Sequence, residues 1–215
     1  MIIASLVVIP SRTQVARLII PTLVEQCDKV YVHAPYYFQV KGAEFFHHAE
    51  TDLVDQMKFD VPLDGVKYHL TCDDDICYPR DYVARMIDCC ASYDDKVVVG
   101  VHGSTFYSEV SDYFKDKTTR HFTHYSVEHA CHALGTGTLC YSPQLVQFPQ
   151  TIFTENNMAD IFVNRKLNDL KIPRICIGRK SGWLTCYETE DNLYLKYKDF
   201  HPKHNELIRG ITWTK

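Results

Sequence analysis

The first third of the chain alternates between a strand pattern and a helix pattern. Residues 2–9 are a continuous apolar run, which is typical of a strand covered on both faces of a parallel sheet. A helix is predicted from there to about Gln26, with an apolar face formed by Val15, Leu18, Ile19, Thr22 and Leu23. Pro21 lies within that pattern and is expected to kink or split the helix. A second short strand, Lys29–His33, completes a strand–helix–strand unit.

The rest of the chain continues this alternation. The further patterns are strands at residues 66–72, 97–101, 134–141 and 174–178, and helices at about 79–93 and 155–170. Residues 34–64 and 104–133 have no clean period and are expected to be irregular. The alternation predicts an α/β fold whose central sheet is mostly parallel and has helices on both sides. Ligands are then expected at the carboxyl ends of the strands.

Composition and charge bound the class of protein. The 215 residues are 46% hydrophobic and 23% charged, which fits one globular domain over residues 1–215 and leaves open whether it belongs to a longer chain. A net charge of -4 gives no general attraction to nucleic acid. The apolar start lacks the basic flank of a signal peptide, and no apolar run is long enough to span a bilayer. Nine cysteines without a Cys-x-x-Cys pair favour reduced thiols and a cytoplasmic location.

Three consecutive carboxylates, Asp73, Asp74 and Asp75, follow the predicted strand at 66–72. Side chains two apart in an extended segment point the same way, so Asp73 and Asp75 are expected to share a side and Asp74 to face away. Two carboxylates that converge at the end of an apolar strand suit a divalent cation that also holds phosphate oxygens. The alternative is a solvated turn with a helix cap.

Further candidate residues lie at the ends of other predicted strands. Ser11 could cap the helix after the first strand, and Arg12 could pair with a phosphate or with one of the aspartates. His33 ends the second strand, and His102 follows the strand at 97–101. The carboxyl ends of parallel strands meet at one edge of a sheet, so these residues and the acidic triplet are expected to form a single site. The opening unit also lacks a Gly-x-Gly-x-x-Gly loop, which argues against a dinucleotide oxidoreductase.

Three features outside the strand ends carry both a functional and an ordinary interpretation. Asp160 lies off the apolar face of the late helix, where it is either a general base for a hydroxyl or an ordinary acid in a first helical turn. Trp183 could stack on a sugar ring or simply be half-buried. A group of potential zinc ligands matches no standard finger spacing and consists of His121, His124, His129, Cys131 and His132.

A set of short motifs occurs in a fixed order between residues 3 and 184. It comprises Ile9-Pro-Ser-Arg12, Asp55-x-x-Lys58-Phe59, Leu70-Thr-Cys-Asp-Asp-Asp-Ile-Cys-Tyr-Pro-x-Asp-Tyr82, Gly100-Val-His-Gly103, Gly135-Thr-Gly-Thr138, Met158-Ala-Asp-Ile161 and Gly182-Trp-Leu184. Together these motifs resemble a family-2-like group of GT-A-fold glycosyltransferases. The size and character of the chain also resemble glycosyltransferase domains encoded by chlorella-type viruses, which implies the host cytoplasm.

The resemblance implies a GT-A, Rossmann-like three-layer sandwich. It implies an inverting hexosyltransferase that moves a sugar from a nucleoside-diphosphate donor, with UDP favoured, to a hydroxyl of a glycan acceptor. It also implies Mn²⁺ or Mg²⁺ bound directly by Asp75, with Asp73 serving the metal or the ribose. Asp160 matches the catalytic base of inverting members, while His102 and Trp183 are expected near the sugar or the acceptor.

The resemblance also implies a donor pocket. The residues assigned to it are Pro10, Ser11, Arg12, His33, Asp55, Lys58, Asp73 and Asp74. Two departures put the contacts to the base in doubt, because Met57 stands where the family often has glycine and His33 stands where asparagine is common.

Other classes of function stay open from the sequence. A nucleotidyltransferase shares the α/β layout and the acidic site, but it would need a loop rich in glycine and lysine where this chain has Pro10-Ser-Arg-Thr13. A catalytically inactive sugar- or nucleotide-binding module would keep the pocket without the chemistry. A zinc-stabilised interaction domain would use the histidines instead.

Overall fold

An eight-stranded sheet organises the protein. The computed structural model describes residues 1–122, 125–187 and 202–215. The strands, in spatial order, are β3 (Glu44–His48), β2 (Lys29–Pro35), β1 (Ile2–Val7), β4 (Tyr68–Cys72), β11 (Thr138–Tyr141), β6 (Val98–Gly100), β12 (Arg174–Cys176) and β9 (His129–Ala130). All run in one direction except β11 and β9, so the sheet is mostly parallel, as predicted.

The other strands in the described ranges form two smaller sheets. One has the order β10 (Ala133–Leu134), β7 (Gly103–Phe106), β8 (Lys117–Arg120), with antiparallel pairing throughout. The other pairs β5 (Ile76–Cys77) with β13 (Thr185–Cys186). This pair lies directly after the acidic triplet and brings the segment after Trp183 beside it.

Helices cover both faces of the central sheet. Helix α1 (Thr13–Val24) and helix α2 (Tyr82–Ser92) pack on one face, and helix α3 (Ala159–Asp169) packs on the other. The alternation of side chains along β6 shows this division, because Val99 joins the core beneath α1 and α2 while Val98 joins the core beneath α3. The three layers are those of a Rossmann-like α/β fold. A short helix, α4 (Pro202–Ile208), contacts α3 through Ile208 and Ile161.

The direction of β11 places its first residues at the functional edge. β11 lies between β4 and β6 and is antiparallel to both. It therefore begins at the edge where the parallel strands end, with Thr138 opposite Cys72. As a result, the loop before β11 reaches the same edge as the acidic triplet.

Several sequence-based expectations about the elements are wrong. Residues 34–64 and 104–133 were expected to be irregular, yet they contain β3 and the strands β7, β8 and β9. The predicted strand at 134–141 is two strands, β10 and β11. Leu18 is 59% exposed, and the buried face of α1 consists of Ala16, Ile19, Ile20 and Leu23. Helix α1 continues through Pro21, so of the expected kink or split only the split is wrong.

No helix in the described ranges combines the length and the apolar character that crossing a bilayer requires.

Candidate functional site

The acidic triplet lies where β1 and β4 end. β4 stops at Cys72, and the residues that follow form a turn before β5. β1 pairs with β4 in parallel, so the chain that leaves β1 at Val7 runs beside this turn. This edge of the sheet is where an open α/β fold binds its ligands.

A buried lysine holds two of the carboxylates. Lys58 lies in a 3-10 turn, Asp55–Phe59, and is 1% exposed. Its Nζ lies 2.6 Å from Oδ1 of Asp55 and 2.6 Å from Oδ1 of Asp73. Burial acts to lower the pKa of Lys58, but the two carboxylates raise it above its ordinary value, so the ammonium stays charged. Burial likewise acts to raise the pKa of Asp73, yet the Lys58 charge holds it below its ordinary value.

Arg12 holds the other two carboxylates. Its Nη1 lies 2.9 Å from Oδ1 of Asp74 and 2.9 Å from Oδ2 of Asp75. The second oxygen of Asp74 accepts a hydrogen bond from the backbone N–H of Ile9 at 3.0 Å. The expectation that Asp74 faces away from Asp75 is wrong, because these residues form a turn and not an extended segment. Burial and the charge of Asp73 raise the pKa of Asp75 to about 6.

The groups around this turn carry a surplus of negative charge. Four carboxylates face two cations, which leaves a formal surplus of two negative charges. Mg²⁺ and Mn²⁺ prefer oxygen ligands, and Mg²⁺ commonly binds through one or two carboxylates together with substrate phosphates. The side chains of Asp73 and Asp75 are 39% and 19% exposed, so both can reach a ligand. Within the described ranges, however, no three His, Cys, Asp or Glu side chains form a group that could hold a metal ion.

The loop before β11 packs directly on Asp73. A Cβ atom at Gly137 would overlap the Asp73 carboxylate, so any other residue there would require the carboxylate or the loop to move. The hydroxyl of Tyr78 accepts a hydrogen bond from the Asp73 backbone N–H at 2.8 Å and donates one to the Gly137 carbonyl at 2.7 Å. Tyr78 thereby fixes the turn and the loop to each other.

Asp160 is oriented by the same loop. Its Oδ1 accepts hydrogen bonds from the backbone N–H and from the hydroxyl of Thr136, both at 2.7 Å. The Thr136 carbonyl in turn accepts a hydrogen bond from the Thr71 hydroxyl at 2.6 Å. Burial raises the pKa of Asp55 despite the charge of Lys58, and the charges of Asp73 and Asp160 add to this rise. Thr136 precedes Gly137, which packs on Asp73, so the same loop contacts both Asp160 and the acidic cluster. A carboxylate held in this way is suited to accept a proton from a hydroxyl.

The two predicted histidines are neutral near pH 7; His33 is buried and His102 is partly buried. His33 lies at the end of β2, where its ring contacts His48 Nε2 at 2.9 Å and the Asp60 carbonyl at 3.2 Å. Burial and His48 lower the pKa of His33 to about 4. The Nε2 of His102 is buried and has no hydrogen-bond partner in the described part of the chain. Burial, assisted by His121, lowers the pKa of His102 to about 3.

Trp183 lies against α2. Its Nε1 donates a hydrogen bond to Oδ1 of Asp81 at 2.9 Å, and the Arg85 guanidinium lies 4.2 Å from the centroid of its ring. The ring of Tyr82 packs beside it at 6.0 Å. These contacts leave the sugar-stacking role of Trp183 a prediction.

The start of α1 differs in one detail from expectation. Pro10, Ser11 and Arg12 form a 3-10 turn, and α1 begins at Thr13 with Arg12 at the N-cap position. Ser11 is therefore not the cap. Arg12 instead forms the ion pairs with aspartates that the sequence left as one of two possibilities.

The candidate zinc ligands between residues 121 and 132 have separate partners where they are described. His132 Nδ1 accepts a hydrogen bond from the Phe106 backbone N–H at 3.0 Å, while the ring of His121 lies near His102. His124 lies outside the described residues.

Sequence reasoning missed the site roles of Thr136, Gly137 and Tyr78. The motif Gly135-Thr-Gly-Thr138 does not by itself indicate a contact with Asp73 or Asp160. Glycines at the entrance to a strand often mark a close approach of backbone to another group, and that signal was present.

Comparisons with known proteins identify no family for this chain. No model of a known protein family and no curated protein matches this chain. Among solved structures, the crystal structure of S. aureus TarS 1-349 in complex with UDP-GlcNAc is similar to 75% of this chain at 11% identity, with a TM-score of 0.39. The match covers 53% of that chain, so this protein spans about half its length. A likeness at this level does not establish a shared fold or activity.

Proposed function

We propose that this protein is a metal-assisted glycosyltransferase that uses a nucleoside-diphosphate sugar, with UDP favoured. The observation that carries the proposal is the acidic cluster at the ends of β1 and β4, together with Asp160, which is hydrogen-bonded to the loop that packs on Asp73. A surplus of negative charge at this edge suits a cation shared with a diphosphate. The ordered motifs that resemble glycosyltransferases support the choice of a sugar donor over other diphosphates.

Asp73 and Asp75 would hold Mn²⁺ or Mg²⁺ in this proposal. When bound, the cation supplies charge neutralisation for the departing nucleoside diphosphate. Arg12 and Lys58 are the cations of the site, and each of them bridges two of the carboxylates. Asp74 is 3% exposed and bonded to Arg12 and Ile9, so its role is to orient Arg12 and not to touch the donor.

The transfer step uses Asp160 as general base. Its carboxylate takes the proton of the acceptor hydroxyl while that oxygen bonds to the anomeric carbon of the sugar. The bond between the anomeric carbon and the diphosphate breaks, and its electron pair leaves with the diphosphate. Attack from the side opposite the leaving group inverts the anomeric configuration.

The remaining predicted residues line the pocket in this proposal. Pro10 and Ser11 border the nucleotide next to Arg12, and Asp55 orients Lys58. His33 supports the pocket wall from within, because it is buried at the end of β2. His102 and Trp183 are assigned to the sugar or to a glycan acceptor.

The proposal is tested by separating donor binding from transfer in Asp160→Asn. Asparagine keeps an oxygen for the two Thr136 hydrogen bonds but cannot accept the proton. We expect unchanged affinity for UDP with Mn²⁺ by calorimetry and a transfer rate lowered by about 10²–10⁴-fold. Asp169→Asn, an exposed change at the other end of α3, is the matched control. Near-normal transfer by Asp160→Asn would exclude it as the base.

A further inference from the structure

A chain of buried hydrogen bonds crosses the central sheet beneath the acidic cluster. The hydroxyl of Tyr141 on β11 lies 2.7 Å from Nδ1 of His69 on β4. Nε2 of His69 lies 2.7 Å from Oγ of Ser5 on β1. The hydroxyl of Ser5 donates a hydrogen bond of 2.6 Å to the carbonyl of Lys58. Tyr141, His69 and Ser5 are each at most 1% exposed, so water does not compete for these bonds.

The contacts fix the direction of every proton in this chain. Ser5 donates its single hydroxyl proton to Lys58, so it accepts from His69, and the His69 proton is on Nε2. Nδ1 of His69 therefore accepts from the hydroxyl of Tyr141. Burial lowers the pKa of His69 to about 3, so the ring is neutral near pH 7. A neutral ring can donate a hydrogen bond from Nε2 and accept one at Nδ1.

The chain ends on the residue that organises the carboxylates. Lys58 is in the 3-10 turn Asp55–Phe59, and Ser5 bonds its backbone while its ammonium reaches Asp55 and Asp73. Hydrogen bonds within a 3-10 turn have poor geometry, so outside partners help to hold it. Gln56 is bonded to Asn156 and Asn157, and Ser5 is bonded to Lys58 itself. The bond from Ser5 attaches the backbone of Lys58 directly to β1, so the position of the ammonium depends in part on this bond.

We infer that Tyr141, His69 and Ser5 are positioning residues that set the place of Lys58 between Asp55 and Asp73. The inference concerns residues that touch no substrate, and it extends the proposed function, on which its consequence for the donor rests. These three residues are named here the Lys58 relay. Loss of any member leaves a buried donor or acceptor without its partner and loosens the turn.

The position of Lys58 can be measured without any nucleotide. Amine acetylation followed by mass spectrometry reports how often each lysine becomes accessible. Lys58 is buried in the native protein and should react slowly, whereas Lys96, with a side chain that is 75% exposed, serves as the internal reference. We expect Ser5→Ala and Tyr141→Phe to speed acetylation of Lys58 by about tenfold relative to Lys96, as loss of one buried hydrogen bond predicts.

The matched control is Tyr68→Phe. Tyr68 is also a buried tyrosine of the central sheet, and its hydroxyl bonds Asp95 at 2.7 Å, away from the relay. If the relay were merely structural, the control and the relay variants would lose thermal stability alike, with no selective exposure of Lys58. Protection of Lys58 equal to wild type in all relay variants would overturn the inference.

Two substitutions of His69 separate its two contacts. In His69→Gln the amide nitrogen can stand near the position of Nε2 and donate to Ser5, whereas in His69→Asn the shorter side chain reaches only toward Tyr141. We expect Gln to protect Lys58 better than Asn does. The reverse order would contradict the proposed direction of the chain.

This design can reject the inference about the relay and the proposed function independently of each other. Where wild type binds UDP with Mn²⁺, the relay variants should raise the dissociation constant by about the same factor as they speed acetylation. If the wild type binds no nucleotide but Lys58 is acetylated faster in the relay variants, the relay is supported and the glycosyltransferase proposal is contradicted.

Discussion

Single charged residues decide the electrostatics of this site. Lys58 and Arg12 each bridge two carboxylates, so each cation stabilises a pair that would otherwise repel. The sequence predicted that Asp73 and Asp75 belong to one site, because both follow a buried strand. It could not predict that Lys58 is the partner of Asp73, since that contact depends on how a turn fifteen residues earlier is placed against β1.

Replacing Lys58 with methionine should destabilise the fold strongly. Methionine keeps the apolar stem but leaves Asp55 and Asp73 without their shared cation in a buried setting. We expect a loss of about 3–5 kcal/mol in the free energy of unfolding, measured by urea denaturation. The control is Lys29→Met, which removes an exposed ion pair with Glu44 and should change little. Equal losses for the two variants would contradict the account of the buried pair.

The raised pKa of Asp75 predicts a pH dependence of donor binding. A metal competes with a proton for this carboxylate, so metal-dependent affinity for UDP should fall as the pH drops through about 6. The contribution of Asp75 to the free energy of unfolding changes with pH in the opposite direction. The reason is that the pKa of Asp75 in the folded protein lies above its ordinary value of 3.8. That contribution is fully present below pH 3.8 and is lost as the pH rises to about 6.

This prediction is checked by calorimetric titration of UDP in the presence of Mn²⁺ between about pH 5 and pH 8. The apparent pKa is obtained from the change of the affinity for UDP with pH. Asp75→Asn should abolish the metal-dependent part at every pH. Its thermal stability at neutral pH should be equal to or above that of wild type, because burial penalises only the charged form. A pH-independent affinity would show that Asp75 does not bind the metal.

At the scale of elements, the strength of the periodic signal decided what could be predicted. The buried strands β1, β4 and β6 and the helices α2 and α3 have long apolar patterns, and their existence was predicted. β3 was missed because its five residues, Glu44–His48, are aromatic and histidine-rich and do not alternate between buried and exposed positions at this edge of the sheet. Leu18 was misplaced because its neighbours Ile19 and Ile20 take the core face.

The loop that enters β11 gives a test at this scale. Gly137→Ala would place a methyl group 2.0 Å from Oδ2 of Asp73, so either the carboxylate or the start of β11 must move. We expect a loss of about 1–3 kcal/mol in stability by urea denaturation, together with loss of metal-dependent UDP binding. Gly135→Ala is the control, because its nearest contact would be 3.2 Å, to His102. An unaffected Gly137→Ala would mean that the loop does not constrain Asp73.

At the scale of the whole molecule, the topology explains why distant segments meet. Residues near 12, 58 and 73 arrive at one edge because the strands of that half of the sheet are parallel. The sequence predicted this edge as the site for that reason. It did not predict that β11 runs the other way, and so it did not predict that Thr136 would link Asp160 to the acidic cluster.

The measurement that tests the central claim most directly is a thermal-shift panel. UDP, GDP, dTDP and CMP are each added with and without Mn²⁺ to wild type, Asp75→Ala and the exposed control Asp64→Ala. A ligand that binds the folded state raises its stability by mass action. The account predicts a shift for one nucleoside diphosphate, only with Mn²⁺, in wild type and Asp64→Ala but not in Asp75→Ala. No shift for any nucleotide, or a shift that persists without metal in Asp75→Ala, would contradict it.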